Sequence, residues 1–245
     1  MSNTDSVSGY TPAEYNSQQQ RAKKMLLSLG IFSIVMIFAG LTSAYIMLMN
    51  GEYWVTISTP IAFYISSALI LVSSVTIKMA VDASKKSNNA LVRIMLLITL
   101  ALGTGFAISQ YMGWQQLMST GNYVSGRIEN ISGNYGTDYT IYYKNKALIL
   151  EDGKFYFPDD SFRDQPLNDK VLDKSNTASS FIYVLSGLHL AHLIGGFLYL
   201  IFLLFKTYFG GITASNNLSL KQGATYWHFL DILWLYLFLF LLFIH

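Results

Sequence analysis

Five long stretches of the chain are almost free of charge. They cover residues 25–49, 53–77, 94–118, 175–205 and 222–245, and Asp231 in the last is the single Asp, Glu, Lys or Arg among them. Each exceeds the roughly 20 residues that a helix needs to cross a hydrocarbon core about 30 Å thick. A soluble domain can hide one such helix, but not five. The fold expected is an all-α membrane protein, a bundle of five transmembrane helices. The spans predicted lie at about residues 25–49, 54–78, 93–117, 177–206 and 222–245. A polar tail of residues 1–24 precedes the membrane domain of residues 25–245, and residues 118–174 form an extramembrane insertion between helices 3 and 4.

Composition agrees with this reading and excludes several others. Hydrophobic residues make up 52% of the chain and charged ones 12%, about half the charged share of an ordinary soluble domain. A net charge of +2 gives no reason to expect nucleic acid. The absence of cysteine removes thiolate metal sites, disulfides and thiol catalysis together. No cleavable signal peptide is expected, since the first 20 residues lack a basic start and the apolar run after them is too long for a signal core.

Basic residues predict the orientation. Arg21, Lys23 and Lys24 precede the first span, Lys78, Lys85, Lys86 and Arg93 surround the second loop, and Lys206 and Lys221 border the fourth, whereas residues 50–52 contain no Lys or Arg. The N-terminus is therefore expected inside and the C-terminus outside. Trp54 and Trp114 then fall at the outer interface, where indoles commonly anchor. The inner basic residues Arg21, Lys23, Lys24, Lys85, Lys86, Arg93 and Lys206 are placed to meet anionic phospholipid headgroups.

The insertion differs in character, with seven Lys or Arg and nine Asp or Glu between Gln115 and Lys174. Residues 139–143, 147–150 and 155–157 read as short strands, with turns at Lys144-Asn145-Lys146 and at Glu151-Asp152-Gly153-Lys154. The Asp-Gly pair is a hairpin signal. A small β meander on the outer face is expected. Its aromatic residues Tyr139 and Tyr142, with the acidic Asp159, Asp160 and Asp164, offer a docking surface for a basic partner.

Polar groups inside the spans are few. Asp231 costs about 2.5–3.5 kcal/mol at a helix centre and calls for a partner inside the bundle. His228 lies three residues before it, and His189 and His192 repeat that spacing on helix 4. Counting along the helices puts the two pairs at similar depth, with Gly187, Gly195 and Gly196 allowing close approach beside them. Three readings stay open at this point: a metal or haem held by imidazoles, a proton or ion path through Asp231, and a hydrogen-bond network that fixes helix 4 against helix 5. A metal site would want a further ligand at that depth, and only His245 remains. Ser66, Ser67, Ser73, Ser74 and Thr76 on helix 2 mark helix contacts, and Gln110 is expected to bond between helices. The chain has no Gly-rich phosphate loop, nucleophile–base arrangement or paired carboxylates, so no catalytic site is predicted.

Two motifs resemble a known family. Ser186-Gly187-Leu188-His189-Leu190-Ala191-His192-Leu193-Ile194-Gly195 is similar to the segment G-F-H-x-x-H-V-x-x-G of haem–copper cytochrome c oxidase subunit III. Tyr226-Trp227-His228-Phe229-Leu230-Asp231-Ile232-Leu233-Trp234 resembles its last-helix signature, Y-W-H-F-V-D-x-x-W. Phe38-Ala39-Gly40-Leu41 with Tyr45, residues 71–76, and Gly103-Thr104-Gly105-Phe106 with Gln110 add weaker matches on the first three helices. The resemblance covers all five spans, in the five-helix form of some bacterial oxidases; organellar members have seven. It departs at Ile34, where many members have an intramembrane Glu, and in the size of the insertion.

The resemblance implies a non-catalytic subunit III of a respiratory oxidase in the bacterial cytoplasmic membrane. Such a chain stabilises subunit I, supports proton uptake, contacts subunit II and further subunits, and holds phospholipid. Haem and copper reside in the partner subunits, so no cofactor is expected on this chain, and the family keeps its histidines without binding metal through them. The corresponding subunit of a quinol oxidase is the nearest alternative. A haem-binding membrane anchor and a transporter built on Asp231 are alternatives of another class.

Overall fold

The computed structural model describes residues 12–214 and 216–244, with side chains from Ser17 onward. His245, the spare histidine of the sequence, lies outside the described residues. Among the described residues, five helices are long and apolar enough to cross a membrane: α1 (Pro12–Met49), α2 (Ile61–Lys85), α3 (Asn89–Ser119), α5 (Thr177–Tyr208) and α6 (Leu218–Phe243). A one-turn helix α4 (Asn168–Val171) and five short strands lie in the connections at one end of the bundle, called here the insertion end. The chain is a multi-pass membrane protein.

Local chemistry sets several helix starts. Asn88 accepts a hydrogen bond from the Leu91 backbone (3.1 Å) and Asn176 one from Ser179 (3.2 Å), so each caps the free amides of the helix that follows. Pro60 precedes α2 in extended conformation, with ψ of 140°. Proline also disfavours helix in the residue before it, and this corrects the second span. The segment expected to be helical from residue 54 is strand β1 (Tyr53–Ile57), and the helix begins at Ile61. Its aromatic and β-branched residues suit a strand, and β2 (Tyr139–Tyr143) supplies the partner, in antiparallel register with Tyr53 opposite Tyr143 and Ile57 opposite Tyr139.

The insertion is two small sheets instead of one meander. β3 (Lys146–Ala147) joins β2 through Lys144 and Asn145, both at positive φ (50° and 60°). β4 (Ile149–Glu151) and β5 (Lys154–Tyr156) form a separate hairpin, turned at Asp152 (φ 50°) and Gly153 (φ 72°). Such paired positive φ angles are those of the type I′ hairpin turn. The break falls at Leu148. Its side chain is buried, its amide bonds the Ile141 carbonyl (2.9 Å), and its carbonyl accepts from the Tyr135 hydroxyl (2.8 Å), so the strand cannot continue straight.

Helix α6 lies at the centre of the membrane domain. Half of its most apolar stretch is buried, against 17% for α1. Trp227 and Trp234 point from it onto α2, and both are buried. The close approaches occur at glycines other than two of those expected. A Cβ on Gly113 would lie 2.3 Å from the Phe63 ring, and one on Gly103 would lie 2.7 Å from Phe197. Gly187 and Gly195 have their nearest neighbours at 3.8 Å, an ordinary contact, so neither is required to be glycine. The tryptophans at the insertion end also differ from expectation. Trp54 is buried and packs edge-on against Tyr45 (4.9 Å between ring centroids), and the Trp114 indole donates to Ser186 of α5 (2.9 Å). Trp54 thus ties β1 to α1, and Trp114 ties α3 to α5.

Candidate functional site

Helix α2 presents a hydroxyl stripe, and each member meets a neighbouring helix. Gln110 of α3 donates to Ser66 (2.7 Å), Trp234 of α6 to Ser67 (3.0 Å) and Trp227 to Ser73 (2.9 Å). Ser74 is 2.6 Å from His228 Nδ1, and Thr76 pairs with Thr99 of α3 (2.7 Å). In lipid, where apolar contact gives little preference for helix over acyl chain, such bonds select the neighbour.

The two His and Asp pairs do not meet in one network. His228 lies beside Asp231, 3.9 Å from its carboxylate, and both face Ser74 of α2. His189 is fully buried between Phe106 (5.7 Å) and Trp234 (5.3 Å), and neither ring nitrogen finds a hydrogen-bond partner among the described residues. His192 turns back to its own helix, with Nδ1 2.8 Å from the Leu188 carbonyl and its ring near Phe38 of α1. The four-residue cluster is thereby corrected. Residues at i and i+3 differ by about 60° around a helix, enough here to aim one histidine at α3 and α6 and the other at α1. Sequence spacing placed them at similar depth without fixing the direction in which each points. Tyr226 links α6 to α5 near this depth, donating to the His192 carbonyl (3.2 Å). Among the described residues no group of three or more His, Cys, Asp or Glu is arranged to hold a metal ion.

The basic residues divide by role. Arg93 reaches the end of α5: its guanidinium donates to the carbonyls of Thr207 (3.2 Å) and Tyr208 (3.4 Å) and lies over the Tyr208 ring. Lys85 pairs with Asp82 (2.7 Å). Arg21 and Lys86 are exposed. Lys206 donates to Ser219 (2.8 Å) and, with Lys23, flanks a cleft of 590 Å³ between α1, α5 and α6. Leu26, Tyr199, Phe202 and Tyr226 form its walls. Lys24 borders a second cleft of 470 Å³ beside it.

At the insertion end the acidic residues are less free than their number suggests. Asp159 is paired with Lys146, Asp173 with Arg127 (2.6 Å), and Asp160 accepts from the Gln165 amide (3.1 Å). Arg163 clasps Glu151 through two bonds of 2.8 Å, and its hydrogen bonds hold the Glu151 carboxyl below the usual range. Asp164 and Asp169 stay exposed. Tyr139 meets the Tyr135 ring edge-on (5.3 Å between centroids), while Tyr142 is partly exposed on the sheet.

Residues 172–245, which carry both histidine motifs, match the family Cytochrome c oxidase subunit III. The chain is 29% identical over 175 residues to a cytochrome c oxidase subunit 3 from Alkalihalophilus pseudofirmus, an alignment covering 71% of this chain and 62% of that protein. It is 26% identical over 212 residues to a probable cytochrome c oxidase subunit 3 from Nocardia farcinica, covering 84% and 80%. A probable cytochrome c oxidase subunit 3 from Rickettsia conorii is 43% identical over 65 residues, covering 26% and 23%. The chain thus spans less than two thirds of the length of the first of these relatives and about a quarter of the last. The five membrane-spanning helices among the described residues, with the Tyr-Trp-His…Asp…Trp signature packed at their centre, accord with this likeness to cytochrome c oxidase subunit III, whose family model matches residues 172–245.

Proposed function

We propose that the chain is a non-catalytic subunit III of a cytochrome c oxidase in a bacterial cytoplasmic membrane, with its insertion end outside. The observation that carries this reading is how the signature is used. Tyr226, Trp227 and Trp234 bond to α5 and α2, and His192 bonds within its own helix. These residues join helices and are not gathered around a reacting group. Such a chain contributes by positioning neighbours, so oxygen reduction, haem and copper belong to subunits I and II, and support of proton uptake is indirect.

Phospholipid is the ligand that the large cleft fits. Its apolar walls run along the membrane, and Lys23 and Lys206 stand at the end remote from the insertion, where one or two ammonium groups attract an anionic headgroup by about 1 kcal/mol each. The insertion presents Tyr142 and Asp164 outward as contacts for another subunit on that side.

Affinity purification of the tagged chain in mild detergent tests the proposal. The expected result is co-purification of two larger oxidase polypeptides, with a haem spectrum and copper in the complex. Dissociated from them, the chain should keep neither. A low-spin haem band that stays with the separated chain would instead favour a haem-binding membrane anchor.

A further inference from the structure

One polar cluster opens sideways out of the bundle. His228, Asp231 and Ser74 lie where α6 and α2 meet, about 15 Å along α6 from Leu218 and thus well inside the hydrocarbon layer. Asp231 is 97% buried, and neither carboxylate oxygen has a hydrogen-bond partner among the described residues. The His228 side chain keeps 35% of its surface exposed. Its Nδ1 faces Ser74, which leaves Nε2 as the polar atom of the ring turned away from that contact. Leu71, Val75 and Ile232, 47–67% exposed, frame the opening with apolar side chains. Facing acyl chains, an imidazole nitrogen at this depth would lose its hydrogen bond to water and gain nothing.

We infer that the α2–α6 seam at Ser74, His228 and Ile232 is covered by a transmembrane helix of a partner subunit that brings a neutral hydroxyl or amide side chain to His228. The apolar surroundings select that chemistry. Asp231 is 97% buried behind the opening and offers no counter-charge to a group arriving from outside, so an ionised group brought to His228 would be uncompensated in lipid. A hydroxyl or amide both donates and accepts, so it satisfies Nε2 in either tautomer. The apolar frame receives the rest of the helix surface. This inference rests on the reading of the chain as one subunit of a membrane complex, and it specifies which face makes the contact.

The test uses the complex purified from membranes. p-Benzoylphenylalanine placed at Ile232 should, on irradiation, cross-link to one transmembrane segment of a co-purified subunit, with Ser, Thr, Asn or Gln at the depth of the adduct. The same group at Leu198 of α5, equally exposed, should not reach that segment. His228→Leu should lower the yield of that subunit about three- to tenfold, the range that one interhelical hydrogen bond spans in a membrane, and His228→Asn should restore most of it. Cross-linking at Ile232 to lipid alone, in a complex whose other subunits co-purify normally, overturns the inference and leaves the proposed function standing. So does a segment with an ionised residue at that depth. If no membrane subunit co-purifies with the unsubstituted chain, the proposed function fails and takes the inference with it.

Discussion

Trp227 donates its indole hydrogen to the Ser73 hydroxyl at 2.9 Å, across the interface between the last and second membrane helices. One turn pair further along, Trp234 does the same to Ser67 at 3.0 Å. Both serines also donate or lie within reach of their own helix carbonyls, at Ile70 and Phe63 respectively, so each hydroxyl can accept from the indole while its own hydrogen is used locally. Ser73→Ala leaves a buried indole N–H with no acceptor. We expect a loss of about 1–2 kcal/mol, measured by unfolding in mixed micelles. The double variant Ser73→Ala with Trp227→Leu should cost less than the sum of the two single changes, because the coupling is then absent from both sides.

Gly113 is where the second and third helices come closest to a side-chain limit. Gly113→Ala puts its methyl 2.3 Å from the Phe63 ring, and Phe63 is itself locked edge-on against Trp234 (5.7 Å). Overpacking of this kind costs about 1–3 kcal/mol. Phe63→Leu in the same chain should recover part of that loss. Gly187→Ala, with nothing nearer than 3.8 Å, should leave thermal stability unchanged within error, which makes it the matched control.

The Glu151–Arg163 pair gives the insertion a dependence on acid. Arg163 lowers the Glu151 carboxyl below its ordinary value by hydrogen bonding and charge. A carboxyl depressed in the folded state stabilises fully above its unfolded pKa, near 4.3. That contribution is lost as pH falls through the lower, folded value. Protease cleavage between residues 151 and 163 should therefore stay constant from pH 7 to 5 and rise below pH 4. In Glu151→Gln the cleavage should be faster at neutral pH and the acid step smaller.

How much of this was legible in the sequence depends on which physical rule applied. Charge-free length marks a membrane helix with little regard to tertiary context, so all five spans could be read directly. The turns at Lys144-Asn145 and Asp152-Gly153 were readable because positive φ restricts the residues that fit. Strand β1 was hidden, since Tyr53-Trp54-Val55-Thr56-Ile57 is as apolar as a span and its partner lies more than 80 residues away in β2. Pro60 was the available signal. At the candidate site, the contact of Ser74 with His228 joins residues on helices two and five of the membrane domain. No spacing rule reaches across helices, so depth was readable for His189, His192 and Asp231 and azimuth was not. The bonds of Arg93 to the Thr207 and Tyr208 carbonyls were not readable, because a charge near a helix end suits either a lipid or the carbonyls of a neighbouring helix.

The insertion is built into the membrane domain, and its removal should reflect that. β2 is the only strand paired with β1 among the described residues, and the Asn122 side chain accepts from Asn176 (2.8 Å) while its backbone carbonyl accepts from the Tyr183 hydroxyl (2.9 Å). Replacing residues 126–169 by a Gly-Ser linker strips β1 of its ladder and bares the Tyr45–Trp54 contact (4.9 Å between ring centroids) at the end of the first helix. The trimmed chain should lose thermal stability and yield, whatever the insertion docks against. A docking role needs changes that spare the fold. Asp164→Lys and Tyr142→Ser alter groups that are wholly or partly exposed, where substitutions shift stability by about 0.5 kcal/mol or less. If the insertion positions a basic partner, Asp164→Lys should weaken that association at low salt and matter little at high salt. Equal association of the variant and the unsubstituted complex at both ionic strengths would reduce the insertion to a structural brace.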